Sequence, residues 1–305
     1  MSRLIFSYAG TVRRFQISQV YLWVFVEGDV VDAPFYDQVC AANSSSRSGF
    51  SYEIVKANEV SGVSSGGKMA LLALHAYLKG RARLSLKPDF TTLFFLDKDI
   101  DDIKRSLVSS LHICYTPTYD VEGVVYSNGD LVRAISAMLG VSSVSVRGNI
   151  RLPQDWVQNS AELWSEWIAI CLLINSMRST TGWPSNFSSP SQVNAPWNTS
   201  AGRTAIDAHL KLIEGRTGLT LGHIRRQYKK KLADVRVLSF SGRILSVFSG
   251  KWFGFLIEKD LEGWYPAEAR RIPSLGARMA QNLLLTIDYS SLGMSHFHDA
   301  IDGVI

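Results

Sequence analysis

Cysteine is scarce in this chain of 305 residues: Cys40, Cys114 and Cys171 are an odd number, far apart, each in an apolar context. They form neither a disulfide framework nor a zinc-ligand spacing, and a reducing, intracellular setting is expected. Long apolar runs are lacking too. The longest, Trp167 to Ile174, falls well short of the ~20 residues a membrane span needs, so it reads as a buried helix and no membrane association is expected. The opening residues carry no secretory signal pattern, which leads to the expectation of a cytoplasmic protein. The sequons at Asn43, Asn186 and Asn198 are then chance matches in Ser-rich loops. What is present is core material: 46% of residues are hydrophobic, with 8 Trp, 11 Tyr and 14 Phe. That content excludes disorder and collagen, and it can fill one large domain or two ordinary ones.

The net charge of +5 is uneven. Residues 1–150 hold 15 basic and 14 acidic side chains, residues 151–305 hold 17 and 13, and residues 201–251 alone hold 11 and 3. A local excess of this size attracts polyanions, although a solvated surface accounts for it equally well.

The first half alternates β-branched and aromatic runs with helical patterns, the form of βαβ units around a parallel sheet. Strands are expected at Val20–Val26, Phe50–Val55, Thr91–Leu96 and Leu111–Tyr115. Helices are expected at Asp32–Cys40, Lys68–Lys79 and Leu131–Leu139, with Asn43–Ser48 a polar loop. From Gln154 the aromatic and aliphatic residues Trp156, Leu163, Trp164, Trp167, Ile168 and Leu172 recur at helical spacing, predicting one long helix. Ser176–Gly202 reads as a long loop, Thr204–Ile213 and Gly222–Leu232 as helices, and Gly242–Ile257 as strands around a Ser249-Gly250 turn. The division expected is 1–150 for an α/β domain and 151–305 for a mainly helical, basic one.

Chemistry concentrates at two strand ends. The first strand runs into Glu27-Gly28-Asp29 and the third into Asp97-Lys98-Asp99, at the carboxyl edge where open α/β sheets build their sites. Asp97 and Asp99, two residues apart, point to the same side of an extended backbone. If the two strands are neighbours, Glu27, Asp97 and Asp99 converge, and such a group needs a cation to offset its repulsion. Oxygen ligands without clustered Cys and His suit Mg2+ or Mn2+, and a site of that kind activates water or a hydroxyl for phosphoryl transfer.

Glu-Gly after one apolar strand, Asp-x-Asp after another and βαβ spacing resemble the TOPRIM domain of topoisomerases, primases and OLD-type nucleases. More narrowly, Val24-Phe25-Val26-Glu27-Gly28 followed by Asp32-x-x-Phe35-Tyr36, the Gly66-Gly67-Lys68 helix start, and Tyr119-Asp120-Val121-Glu122-Gly123 resemble the TOPRIM family that includes the effector nuclease of the PARIS anti-phage system. The resemblance spans roughly residues 20–135. It implies a TOPRIM-like parallel sheet flanked by helices, with Glu27 a metal ligand or general base and Asp97 and Asp99 the main metal ligands. Glu122 is then a fourth acid. The acid that follows Glu-Gly is either Asp29 or Asp32; the aromatic pair Phe35-Tyr36 aligns with Asp32, which as a helix N-cap has an alternative reading. The resemblance further implies a toxic endonuclease that cleaves tRNA once a partner ABC-type ATPase releases it, with pairing of two copies through the Trp-rich helix as a further expectation.

Gly62 to Met69 nearly spells a phosphate-binding P-loop, but Met69 stands where the magnesium-binding hydroxyl belongs. Lys68 remains a candidate for contacting a substrate backbone, alongside the plain reading of a helix start. Arg225, Arg226, Lys229, Lys230 and Lys231 lie in a helical stretch and are expected to spread around it, as phosphate contacts or as a solvated face. Lys251 is a candidate for stabilising phosphate charge, against an ordinary exposed turn lysine. His296 and His298 read as a surface pair. Two rival functions remain open: a non-catalytic TOPRIM binding module, and a TOPRIM RNA maturase or DNA nickase.

Overall fold

A computed structural model describes residues 7–46, 49–60, 67–86, 89–100, 106–149, 153–177 and 200–305. The strands are β1 (Leu22–Val26), β2 (Tyr52–Lys56), β3 (Ser85–Leu86), β4 (Phe90–Leu96) and β5 (Ile113–Tyr115). The helices, in chain order, are α1 (Tyr8–Ile17), α2 (Asp32–Ser46), α3 (Lys68–Gly80), α4 (Val121–Asn128), α5 (Leu131–Leu139), α6 (Ser143–Asn149) and α7 (Pro153–Leu163). They continue with α8 (Ser165–Ser176), α9 (Ser200–Thr217), α10 (Leu221–Phe240), α11 (Lys251–Trp264), α12 (Pro266–Ala269), α13 (Leu275–Leu284) and α14 (Ser295–Val304). Two compact units result, one of residues 1–129 with 283–305 and one of residues 130–282.

The first unit is α/β. Its sheet runs β2-β1-β4-β3, with β5 also paired to β4. β1 is parallel to both β2 and β4, Leu22 standing opposite Tyr52 on one side and Thr91 on the other. Antiparallel β3 covers the start of β4 and parallel β5 its end. β1 and β4 are buried at every position, which is why their sequences are continuous apolar runs. All four expected strands are present with shifted ends. β3 is too short to leave a pattern, and the loop expected at Asn43–Ser48 is, as far as Ser46, a continuation of α2.

Both faces of the sheet are covered. On one, Phe15 of α1 and Leu71, Leu74 and Leu78 of α3 pack onto Trp23, Phe25, Phe90 and Phe94. On the other, Tyr36 of α2 lies flat on Phe95 with ring centroids 4.2 Å apart, and Phe297 of α14 meets Phe35, Tyr36 and Phe95 edge-on. The last helix therefore belongs to the α/β core, whereas the sequence reading placed all of 151–305 in the helical domain. His296 and His298 have structural partners: one nitrogen of His296 is 2.7 Å from the Tyr115 carbonyl, and His298 bonds Asn43 and the Tyr289 carbonyl. Asn43 itself is 3% exposed and donates to Asp302, so its sequon is closed to modification.

The second unit is helical among its described residues. α8 buries Trp167, Ile168, Ile170 and Leu173 and packs against α9 and α10. Trp156, Trp164 and Trp167 are all buried, so the Trp-rich stripe is core and has little surface to offer a second copy. The single long helix expected from Gln154 is two helices, because Trp164 leaves helical geometry at φ −98°, ψ 10°. Gly242–Ile257, expected as strands, is a 3-10 turn at Ile244–Ser246 followed by α11. Ile244, Val247 and Phe248 mimic a strand in composition, but Phe253, Ile257 and Leu261 recur every four residues and lay down a helical stripe. No described helix is long and apolar enough to cross a membrane.

Candidate functional site

Because β1 and β4 are adjacent and parallel, Glu27 and Asp97 leave the same edge of the sheet. One Glu27 carboxylate oxygen accepts the backbone N–H of Asp97 at 2.9 Å, joining the two strand ends. Three helices also begin at this edge, with residues of each bonded to the strand ends. Asp32, the first residue of α2, folds back to accept the N–H of Gly28, so it is not the N-cap the sequence suggested. A Cβ at Gly28 would lie 2.7 Å from that carboxylate, which is why the acid at 27 is followed by glycine. At the start of α4, Asp97 accepts the N–H of Val121 at 3.0 Å and Asp120 caps the helix by accepting that of Gly123. Exposed helix N–H groups favour negative charge at these ends.

Lys68 opens α3, after Gly67 at φ +72°. Its ammonium donates to the carbonyls of Asp97 (2.6 Å) and Lys98 (3.3 Å) and to the carboxylate of Asp99 (3.1 Å), and it lies 5.5 Å from the centre of the Tyr115 ring. The lysine expected to face a substrate thus holds the 97–99 turn from inside. Asp99 adopts φ +52°, a left-handed conformation that costs a non-glycine residue on the order of 1 kcal/mol, and its N–H donates to Tyr119. Residues 62–66 of the P-loop-like segment lie outside the described residues.

Electrostatics mark the same place. Burial lifts the Glu27 carboxyl to about 7; the Asp97 N–H and Lys68 oppose the rise, while Asp99 and Asp32 add to it. Asp97 is raised well above the ordinary carboxylate range, first by burial, then by Glu27, Asp32, Asp120 and Glu122. The Tyr36 hydroxyl is also raised, by burial and then by Asp97 and Asp32, which places the α2 aromatic within reach of the acids. The sequence offered Tyr36 only as part of an aromatic pair; its proximity to the acids follows from the turn of α2 above β4.

The structure therefore gathers Glu27, Asp32, Asp97, Asp99 and Glu122 with Lys68. Among the described residues, however, no three carboxylate, imidazole or thiol groups are arranged to hold a metal ion. One oxygen each of Glu27 and Asp97 accepts a backbone N–H, and one of Asp99 accepts from Lys68. Asp29 is exposed after β1. The three cysteines are buried and in no disulfide, and burial pushes the Cys114 thiol up to about 12, away from thiolate chemistry.

The basic residues lie in the second unit. Arg225, Arg226, Lys229 and Lys230 are exposed on α10, Lys231 is half-buried, and Lys251 begins α11. Arg225 pairs with Asp207 of α9 at 3.1 Å. No family model matches the chain, and no curated protein matches its sequence.

Proposed function

We propose that the chain is a divalent-metal-dependent phosphodiesterase acting on nucleic acid, with its reaction centre at the carboxyl ends of β1 and β4. The observation that carries the reading is the pairing of Glu27 with Asp97 at adjacent strand ends, both with carboxyl groups held above their ordinary range by burial and by neighbouring carboxylates, Asp32 among them in each case. A hard divalent cation fits this donor set in charge and ligand type, and it would be held by Glu27, Asp97 and Asp99 with Asp32 and Glu122 around them. When bound, Mg2+ or Mn2+ supplies polarisation of a phosphoryl oxygen and a more acidic water. Glu27, whose carboxyl burial raises above the ordinary range, can hold or release a proton beside the scissile phosphate. Lys68 fixes the backbone of 97–99.

The finer reading rests on the resemblance to the TOPRIM family: an endoribonuclease effector of anti-phage defence, acting on tRNA in the cytoplasm after release from an ABC-type ATPase. Incubating the protein with tRNA and with supercoiled DNA, in Mg2+ and in EDTA, tests it. Metal-dependent cleavage of tRNA that Glu27→Gln abolishes is expected; cleavage in EDTA, or by the variant at full rate, overturns the reading. Nicking of the DNA alone favours the nickase alternative.

One observation favours a second reading. Lys68 supplies an internal cation to the acids, as a non-catalytic module requires. In that case neither nucleic acid is cleaved, and Mg2+ leaves the melting temperature unchanged.

A further inference from the structure

At about 100° per residue, Arg225, Arg236, Lys229, Phe240, Arg226, Val237 and Lys230 of α10 fall within an arc of roughly 140°. The buried residues Ile224, Tyr228 and Val235 lie on the opposite side, with Lys231 beside them. The cations thus form a ridge instead of encircling the helix as their spacing in sequence suggested. Among the described residues Arg226, Lys229, Lys230 and Arg236 make no ion pair; Asp207 meets Arg225, and Asp234 borders the ridge. Two apolar side chains share this charged surface, Val237 at 67% and Phe240 at 91% exposure. Phe240 and Val237 thus set an apolar surface, one of them a ring, within the row of cations.

The ridge leads to a cleft of about 490 Å³, within the range of sites that hold a small organic group. Arg236 and Phe240 form one wall, and Leu163, Asn159, Glu162 and Glu166 contribute to the others. Cations in a row suit successive phosphates, an exposed ring suits a base face, and carboxylates accept hydrogen bonds from an exocyclic amine. We infer that the ridge and cleft bind single-stranded nucleic acid, with phosphates along Arg226, Lys229, Lys230 and Arg236, and one base stacked on Phe240 and presenting an amino group to Glu162 or Glu166. This rests on the reading of the chain as acting on nucleic acid and assigns it a substrate surface.

The test is fluorescence anisotropy of labelled oligocytidine and oligouridine, and of their deoxy counterparts, titrated with the full chain in EDTA. Binding is expected, tighter for cytidine than for uridine, with the RNA and DNA arms identifying which source the site takes. Phe240→Ala is expected to weaken binding about tenfold, the weight of one stacked base. Lys229→Glu with Lys230→Glu is expected to weaken every oligomer and to lower the salt slope by roughly 1.4. Glu166→Gln should narrow the preference for cytidine. All these side chains lie at the surface or line the cleft, away from the helix core. Absence of binding, affinity unchanged in Phe240→Ala or in the lysine reversals, or sedimentation showing that Phe240 instead joins two copies would overturn the inference. No cleavage is read, so failure here is distinct from failure at Glu27.

Discussion

The Asp97 N–H donates to the Glu27 carboxylate at 2.9 Å, across the ends of two parallel strands seventy residues apart in sequence. This one bond converts a sequence pattern of separated acids into a local cluster. It also gives Glu27 a structural duty that a neutral isostere retains, which separates its charge from its role as acceptor.

That separation sets a pH dependence. A carboxyl lifted from 4.5 to about 7 binds its proton more tightly in the folded chain than in the unfolded one. Its stabilising contribution is complete below pH 4.5 and is lost as pH rises through 7, and Asp97 acts in the same sense. Urea melts in EDTA should therefore show lower stability at pH 8 than at pH 5.5. In Glu27→Gln this difference should shrink, with the gain in stability falling at pH 8; an unchanged pH profile would remove the charge cluster from the account.

Lys68→Met should expose the second function of the cluster. Removing three donated hydrogen bonds from a half-buried ammonium is expected to cost about 1–3 kcal/mol. Because Asp99 is held in a left-handed conformation, the loss should appear as faster amide exchange at 98–100, measured by mass spectrometry. Exchange equal to the wild type would show that the lysine does not hold the turn.

The last helix is a covering element of the α/β unit, so Phe297→Ala should destabilise that unit by about 3–5 kcal/mol. A fragment ending at residue 150 should lack cooperative melting, since the Tyr36 and Phe95 face would lose Phe297. A sharply melting fragment would contradict this placement.

Two glycines in the second unit make opposite predictions. A Cβ at Gly276 would run into the Gly254 carbonyl, where α11 and α13 meet backbone to backbone, so Gly276→Ala should cost about 1–3 kcal/mol or more. Gly263, in α11 with open space around it, should gain up to about 1 kcal/mol as Ala. Thermal melts of the two variants shifting in the same direction would refute the described packing of α11.

How much of this was legible in the sequence differs by element. β1 and β4 could be read because strands covered on both faces must be apolar throughout, and α3 because Met69, Leu72, Ala73 and Ala76 keep helical spacing, although the face it buries is that of Leu71, Leu74 and Leu78 and Met69 is exposed. The edge position of Glu27 and Asp97 followed from the strands. Their hydrogen bonds did not, because Lys68 and Val121 reach Asp97 from distant segments and the Asp97 N–H reaches Glu27 from a strand seventy residues away. The Gly242–Ile257 stretch misled because its β-branched and aromatic content mimics strands, while tertiary packing buries Ile244 in a 3-10 turn, Phe248 in the link that follows and Phe253 in α11. Similarly, α14 carries no local sign that its Phe297 crosses back to Phe95; that contact is set by the sheet it completes.

Whether the acids at the ends of β1 and β4 take up a divalent ion is decided by titrating Mn2+ into the protein and following the free ion by electron paramagnetic resonance. Saturable uptake is expected of the wild type, and at least tenfold weaker uptake of Asp97→Asn and Glu27→Gln. No uptake by the wild type, or equal uptake by all three, would contradict binding at these acids.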